Sequence, residues 1–160
     1  MDFSKQHTYE ADAARVFAML TDPAFLEGMA SNDGVLEHQV SVDGAHTIVR
    51  AAIAAPDMVR RFVGPQMQVR MDTDWTATTP QGGHTGPLTV SVAKMPAKLT
   101  ATATITPDGP RAVVSYAGEF SVGIPVVGRK LEQMAAPYIT FMLDAQWMAG
   151  QAWLKEHPAA

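Results

Sequence analysis

The residues whose chemistry could serve a function are few, and His38 is the foremost of them. It alternates with Leu36 and Val40 in a period-two segment, which places it on the apolar side of a predicted strand. An imidazole there could bond a ligand or transfer a proton. The alternative is a histidine at a cavity rim or one bonded to backbone. We expect this structural role, because the sequence assigns His38 no partner carboxylate.

Three aromatic residues also fall on predicted inward faces. Tyr116 and Tyr138 each need a partner for a buried hydroxyl, and that partner is a ligand or only a carbonyl group. Trp75 is expected in the core, although an indole can also stack on a planar ligand. We expect structural roles for these side chains, with ligand contact as the alternative.

The remaining polar residues do not form a recognisable catalytic or metal motif. Asp72 and Asp74 share the polar face of a strand and are expected to be solvated rather than a catalytic pair. The other histidines, at positions 7, 46, 84 and 157, lack metal-ligand spacing, and the chain has no cysteine. Glycine-rich phosphate loops are missing, and Asn32-Asp33-Gly34 is typical of a turn rather than a calcium loop. The sequence therefore predicts no metal and no cofactor.

Composition favours one globular domain over residues 1–160, with 47% hydrophobic and 18% charged residues. The net charge of −4 and scattered Lys and Arg argue against nucleic-acid binding. No apolar run is long enough for a signal peptide or a membrane span, so we expect a cytoplasmic protein. The sequence leaves protein partners undetermined.

The elements that position these residues can be predicted from periodicity. A strand near residues 1–9 precedes two short helices, capped by Asp12 and by Asp22 with Pro23 at the first helical position. Six period-two segments follow, and apolar spacings of three and four then predict a long helix over about 127–156, in which Pro137 should cause a kink or a local break in the hydrogen bonds. Asp43-Gly44 predicts a two-residue hairpin turn, which would pair Glu37 with Arg50.

Each predicted strand is apolar on one face, so the sheet needs a cover, and the long amphipathic helix is the natural one. The predicted fold is α+β: a curved seven-stranded antiparallel sheet wrapped on a long C-terminal helix, with two short helices after the first strand. A space beneath such a helix is a typical site for an apolar ligand.

Four segments carry a resemblance to a known family, together with the order of the elements: Tyr9–Pro23, Arg61–Gly64, Thr73–Trp75 and Val122–Glu132. This pattern resembles the START-like superfamily, also called SRPBCC, birch-pollen-allergen-like or helix-grip proteins. Within it, the chain looks most like an uncharacterised domain-of-unknown-function family of actinobacterial type. The superfamily contains lipid and sterol carriers, hormone receptors, ubiquinone-binding proteins and polyketide aromatases or cyclases, so the resemblance implies a fold without a specific activity.

The predicted function is non-enzymatic binding or transport of a hydrophobic small molecule, such as a lipid, an isoprenoid or an aromatic polyketide. One alternative is an aromatase- or cyclase-like enzyme in which a histidine or tyrosine moves protons. Another is a packed protein-interaction module. The predicted cavity wall combines methionines, aromatics and aliphatic residues: Leu36, His38, Val49, Met67, Met71, Trp75, Val90, Tyr116, Phe120, Met134, Tyr138 and Met142.

Overall fold

The structure is a computed structural model that describes residues 1–31 and 34–158. Asn32 and Asp33, in the predicted turn, lie outside the described residues. The helices are α1 (Ala13–Leu20), α2 (Pro23–Ala30), α3 (Arg60–Val63, after a 3-10 turn at Asp57–Val59) and α4 (Gly128–Glu156). The strands are β1 (Asp2–Tyr9), β2 (Val35–Asp43), β3 (His46–Ala54), β4 (Gln66–Asp74), β5 (Ala77–Thr78), β6 (His84–Val92), β7 (Ala97–Asp108) and β8 (Arg111–Val122).

The strands form one antiparallel sheet in the order β1-β8-β7-β6-β4-β3-β2, and the short β5 pairs with β6. Consecutive hairpins account for most neighbours, and β1 closes the sheet by pairing with the last strand, β8. The sheet, the two short helices and the long C-terminal helix confirm the predicted helix-grip architecture.

One face of the sheet carries a continuous apolar row because neighbouring strands pair these residues directly. Paired residues in adjacent strands point to the same side, so the row crosses the sheet from β2 to β8. Its members are Val40, Val49, Met71, Val90, Leu99 and Phe120. We call this side, which faces α4, the inner face.

The β2–β3 register differs from the predicted one. The turn residues are Gly44 and Ala45, with Gly44 at a φ of 61°, so Asp43 pairs with His46. Arg50 therefore faces Gln39, and the predicted Glu37–Arg50 pair is wrong. Gly44 supplies the positive φ at the first turn position instead of the second. From Glu37 to Asp43 the pairing moves by two residues, so these side chains keep their predicted faces, whereas the register shifts between Val35 and Glu37.

The short helices begin where the sequence predicts. Asp12 Oδ1 accepts a hydrogen bond from the Arg15 N–H at 2.9 Å, and Asp22 Oδ1 accepts one from the Ala24 N–H at 2.8 Å. These side chains satisfy amide groups that have no partner inside the helix. The long helix α4 continues through Pro137 as one element, close to the predicted bounds.

The main core lies between α1, the C-terminal part of α4, and strands β1, β7 and β8. Val16, Ile105 and Val114 are each at most 1% exposed there. A smaller second cluster surrounds α3, where Ala55, Val59 and Val63 are buried against partly buried neighbours that include Phe62 and Leu131. Leu154 near the end of α4 belongs to the main core, and Leu131 near its start packs against the second cluster.

Candidate functional site

Helix α4 is anchored over β1 and β8, at one side of the sheet. The Trp147 indole N–H donates to the Thr8 carbonyl at 2.9 Å, and the Gln146 amide donates to the Tyr116 hydroxyl at 2.9 Å. Asp144 accepts a hydrogen bond from His7 at 2.7 Å. These contacts use the face of α4 that points at β1 and β8.

A second face of α4 is apolar but is not buried. Its residues recur at intervals of three and four, which places them along one flank of the helix. Met134 is 38% exposed, Met142 56% and Tyr138 67%. We call this stripe, with Leu131 and Ala145, the apolar flank of α4. Large apolar side chains exposed side by side are typical of a binding surface.

The N-terminal end of the apolar flank faces the 3-10 turn and α3. Leu131 and Met134 line a pocket together with Met58 and Phe62, which precede β4 in the chain. On the opposite side of α4, Ala136 and Thr140 border a separate small pocket with β1 residues. The two pockets therefore show that Leu131 and Met134 face α3, whereas Ala136 and Thr140 face β1.

The inner face of the sheet on that side is also incompletely covered. Val40, Val49, Met71 and Val90 lie in register across β2, β3, β4 and β6, and all four are only partly buried. We call the space between these residues and the apolar flank of α4 the groove. Its two walls are apolar, so it is suited to an apolar ligand.

A pocket of about 370 Å³ lies beside α3 and the N-terminal turns of α4, at the Leu131 and Met134 end of the apolar flank. Phe62 and Leu131 form apolar walls. The Arg61 guanidinium lies over the Phe62 ring, 4.8 Å from its centroid, a cation–π arrangement. The complete lining is Asp57, Met58, Arg61, Phe62, Val127, Lys130, Leu131 and Met134.

The twelve residues predicted to form the cavity wall fall into three groups. Trp75 and Tyr116 are buried in the core, at 2% and 4% exposure. Leu36 and His38 are exposed on the edge strand β2, where Leu36 lies at a register shift between Val35 and Glu37. The other eight lie on the partly buried inner face or on the apolar flank: Val49, Met67, Met71, Val90, Phe120, Met134, Tyr138 and Met142.

Met134 is the member of that predicted set which lines the pocket of about 370 Å³. Four of the other lining residues, Asp57, Met58, Arg61 and Phe62, lie in the segment from Pro56 to Gly64, which sequence reasoning missed because it has no clear period. The available signal was its composition. Two arginines beside Phe62 and Val63, followed by a glycine, differ from an ordinary solvated loop.

Tyr116 has a structural partner for its hydroxyl. The Gln146 amide supplies the hydrogen bond, and burial raises the pKa of the Tyr116 phenol to about 12. Tyr138, by contrast, is 67% exposed on the apolar flank. The two tyrosines therefore occupy different environments, one inside the core and one exposed on the apolar flank.

His38 has the carboxylate partner that the sequence could not assign. Its Nε2 donates to Glu27 Oε2 at 2.7 Å, from β2 to α2. The histidine side chain is 28% exposed and the glutamate 50%. A carboxylate can orient an imidazole so that its other nitrogen accepts a proton.

The Asp72 and Asp74 carboxylates are both engaged locally. Burial alone would raise the pKa of Asp72, but hydrogen bonds from His46 and Arg70 outweigh it and the net shift is downward. Asp74 accepts from the Thr76 N–H at 2.9 Å and from its hydroxyl, which lowers the pKa of Asp74. Both face away from the groove, on the side of the sheet opposite Met71 and Thr73.

Among residues 1–31 and 34–158, no group of three or more His, Cys, Asp or Glu side chains is placed to hold a metal ion. No helix in the same residues has the length and apolar character needed to cross a membrane.

The described fold is that of known proteins. The aromatase/cyclase Zhui from Streptomyces sp. R1128 superimposes with a TM-score of 0.65 at 11% identity, covering 100% of this chain and 96% of that chain. A START superfamily protein from Mycobacterium smegmatis superimposes with a TM-score of 0.60 at 13% identity, covering 98% of this chain and 99% of that chain. A norcoclaurine synthase point mutant from Thalictrum superimposes with a TM-score of 0.64 at 14% identity, covering 99% of this chain and 96% of that chain. At these identities the likeness shows the fold alone.

The chain therefore has the helix-grip fold of these proteins, as the resemblance implied. Residues 4–154 match the family described as "Protein of unknown function (DUF2505)", and the chain belongs to that family. No curated protein matches the sequence significantly.

Proposed function

We propose that this protein binds a hydrophobic small molecule in the groove between the apolar flank of α4 and the sheet. The observation that carries the proposal is a pair of apolar surfaces that are incompletely covered. Met71 and Val90 are only partly buried on the sheet, while Tyr138 and Met142 are exposed on the helix. Water covers both walls unless a ligand occupies the space.

The composition of the walls supports an adaptable site. Methionine side chains are flexible and polarizable, so they fit apolar ligands of different shapes. Tyr138 adds a planar ring with a polar end. A lipid, an isoprenoid or an aromatic polyketide would each satisfy such walls. Burial of ligand and wall together would contribute about 25 cal/mol for each Å² of apolar surface removed from water.

A neutral fluorescent probe, N-phenyl-1-naphthylamine, tests the proposal. We expect saturable binding to the unmodified protein. Met142→Lys should weaken binding by roughly tenfold or more, because an ammonium in an apolar space is costly to desolvate. Gln133→Lys is the matched control, since it adds the same charge at an exposed position on another side of α4. Absence of saturable binding, or an equal loss in both variants, would contradict the proposal.

A second candidate function is favoured by the His38–Glu27 pair. A histidine oriented by a carboxylate beside an apolar groove could act as a general base on a bound ring or ketone. Kemp elimination of 5-nitrobenzisoxazole measures such a base without knowledge of the natural substrate. If the protein is an enzyme of this kind, it should turn over this substrate, and the rate should fall in both His38→Gln and Glu27→Gln. Turnover at the background rate, or unchanged by His38→Gln, leaves binding alone.

A further inference from the structure

The pocket beside α3 combines apolar walls with a cationic rim. Phe62, Leu131 and Met134 form the wall, and Arg61 and Lys130 stand exposed at the edge. Its volume of about 370 Å³ lies in the range of roughly 300–1,000 Å³ typical of small-molecule sites. A ligand that fits both features has an apolar tail and a polar head.

The charges at the rim are not balanced within the described residues. The lining carboxylate, Asp57, lies 3.6 Å from the Arg60 guanidinium, which opposes its charge. Arg61 rests over the Phe62 ring, and among the residues described neither Arg61 nor Lys130 takes part in an ion pair. Two positive charges therefore stand at the pocket without a protein counter-charge.

The surrounding segments extend this positive field. Residues 57–64 and 126–134 contain four cationic and two acidic side chains, a local balance of +2 in a chain of net charge −4. One of the two acids, Glu132, accepts a hydrogen bond from the Val122 N–H at 3.1 Å and does not line the pocket. Such a field concentrates anions at the pocket entrance.

We infer that this pocket binds a single-chain amphiphile with an anionic headgroup. The inference rests on the proposed function, because the tail would occupy the same groove. The tail lies against Phe62, Leu131 and Met134, and the head lies between Arg61 and Lys130. Guanidinium and ammonium groups bond carboxylate or phosphate oxygens through charge-assisted hydrogen bonds. A cationic head would be repelled at the same position.

Displacement of N-phenyl-1-naphthylamine by amphiphiles of equal chain length tests the inference. The series is decanoate, decyl phosphate, decanol and decyltrimethylammonium, each used as a monomer in solution. We expect one or both anionic amphiphiles to displace the probe at concentrations about tenfold lower than decanol, a preference that two partly exposed ion pairs can supply. Comparison of decanoate with decyl phosphate identifies the preferred head.

The double variant Arg61→Gln, Lys130→Gln should lose the preference for anions while decanol and the probe bind as before. Arg129→Gln is the control, because it removes a neighbouring exposed charge that does not line the pocket. It should keep most of the preference. Added salt should reduce the preference in the unmodified protein.

The outcomes separate the two proposals. Equal displacement by all four amphiphiles, or an anion preference that survives the double variant, overturns the inference and leaves apolar binding intact. Absence of any probe or amphiphile binding overturns the proposed function and the inference together. If the double variant loses the anion preference and the Arg129→Gln control keeps it, the result supports both the proposed function and the inference.

Discussion

Gln146 on α4 donates a hydrogen bond to the hydroxyl of Tyr116 on β8, with the two atoms 2.9 Å apart. This contact joins the helix to a side chain that is only 4% exposed. It fixes α4 over β8, while the Trp147 indole fixes the next residue over β1. Because the polar anchors hold the helix at this side of the sheet, its apolar flank remains free to face the groove.

Burial of Tyr116 predicts a loss of stability in alkaline solution. The ordinary tyrosine pKa is about 10, and burial raises that of Tyr116 to about 12 and that of Tyr9 as well. Above about pH 10 the unfolded chain loses phenol protons that the folded protein keeps, so the free energy of unfolding falls until the folded pKa is passed. Urea unfolding at pH 8 to 12 measures this slope.

Tyr116→Phe should flatten that alkaline slope, because it removes one of the two shifted phenols. The variant should also be less stable at neutral pH, by about 1–2 kcal/mol, since the Gln146 amide loses its partner. A slope equal to that of the unmodified protein would contradict the assignment of the raised pKa to Tyr116.

Met71→Trp separates a ligand groove from a packed core. Met71 is partly buried on the inner face of β4, so a larger side chain there would enter the groove. We expect a nearly unchanged melting temperature and strongly weakened binding of N-phenyl-1-naphthylamine. Val114→Trp is the contrast, because Val114 is 1% exposed and overpacking should cost about 1–3 kcal/mol. Equal destabilisation by both changes would mean that Met71 has no free space in front of it.

Gly150 sets how closely α4 approaches the sheet. A Cβ atom at this position would lie 2.6 Å from Tyr9 Cε1 and 2.9 Å from Met19 Cε. Gly150→Ala should therefore destabilise the protein by about 1–3 kcal/mol, although alanine favours helices by about 1 kcal/mol over glycine. Gly28→Ala in α2 is the matched control, since nothing lies within 4 Å of its added carbon. Thermal melting should show opposite shifts for the two variants.

Much of the fold could be predicted because its signals are local. Asp12 and Asp22 act within one helical turn, and period-two alternation assigns each strand face without reference to the partner strand. From Glu37 to Asp43, even the error in the β2–β3 register left the faces correct, since it was a shift of two residues.

The site was harder to predict because its contacts cross the chain. Glu27 contacts His38 only after α2 folds onto β2. The position of neither residue in the sequence pattern predicts the contact. Phe62 and Leu131, far apart in sequence, form one pocket wall through the position of α3 beside α4. Met134 belonged to the predicted set because helical periodicity is local, whereas Arg61 lies in a segment without a period.

Asp144 predicts a second dependence of stability on pH, at the acid end. Hydrogen bonds from His7 and from Lys5 lower the pKa of this carboxyl, against a smaller opposing effect of burial. His7 Nε2 lies 2.7 Å and Lys5 Nζ 3.3 Å from Asp144 Oδ1. The contribution to stability is therefore present above the ordinary aspartate pKa of about 3.9 and is lost as the pH falls through the lower folded value.

Asp144→Asn should have a lower melting temperature than the unmodified protein at pH 7, and the difference should shrink as the pH falls below about 4. Asp43→Asn, at the exposed end of β2, is the control and should show no such convergence. A melting difference for Asp144→Asn that stays constant from pH 7 to pH 3 would show that the carboxylate charge does not hold α4 against β1.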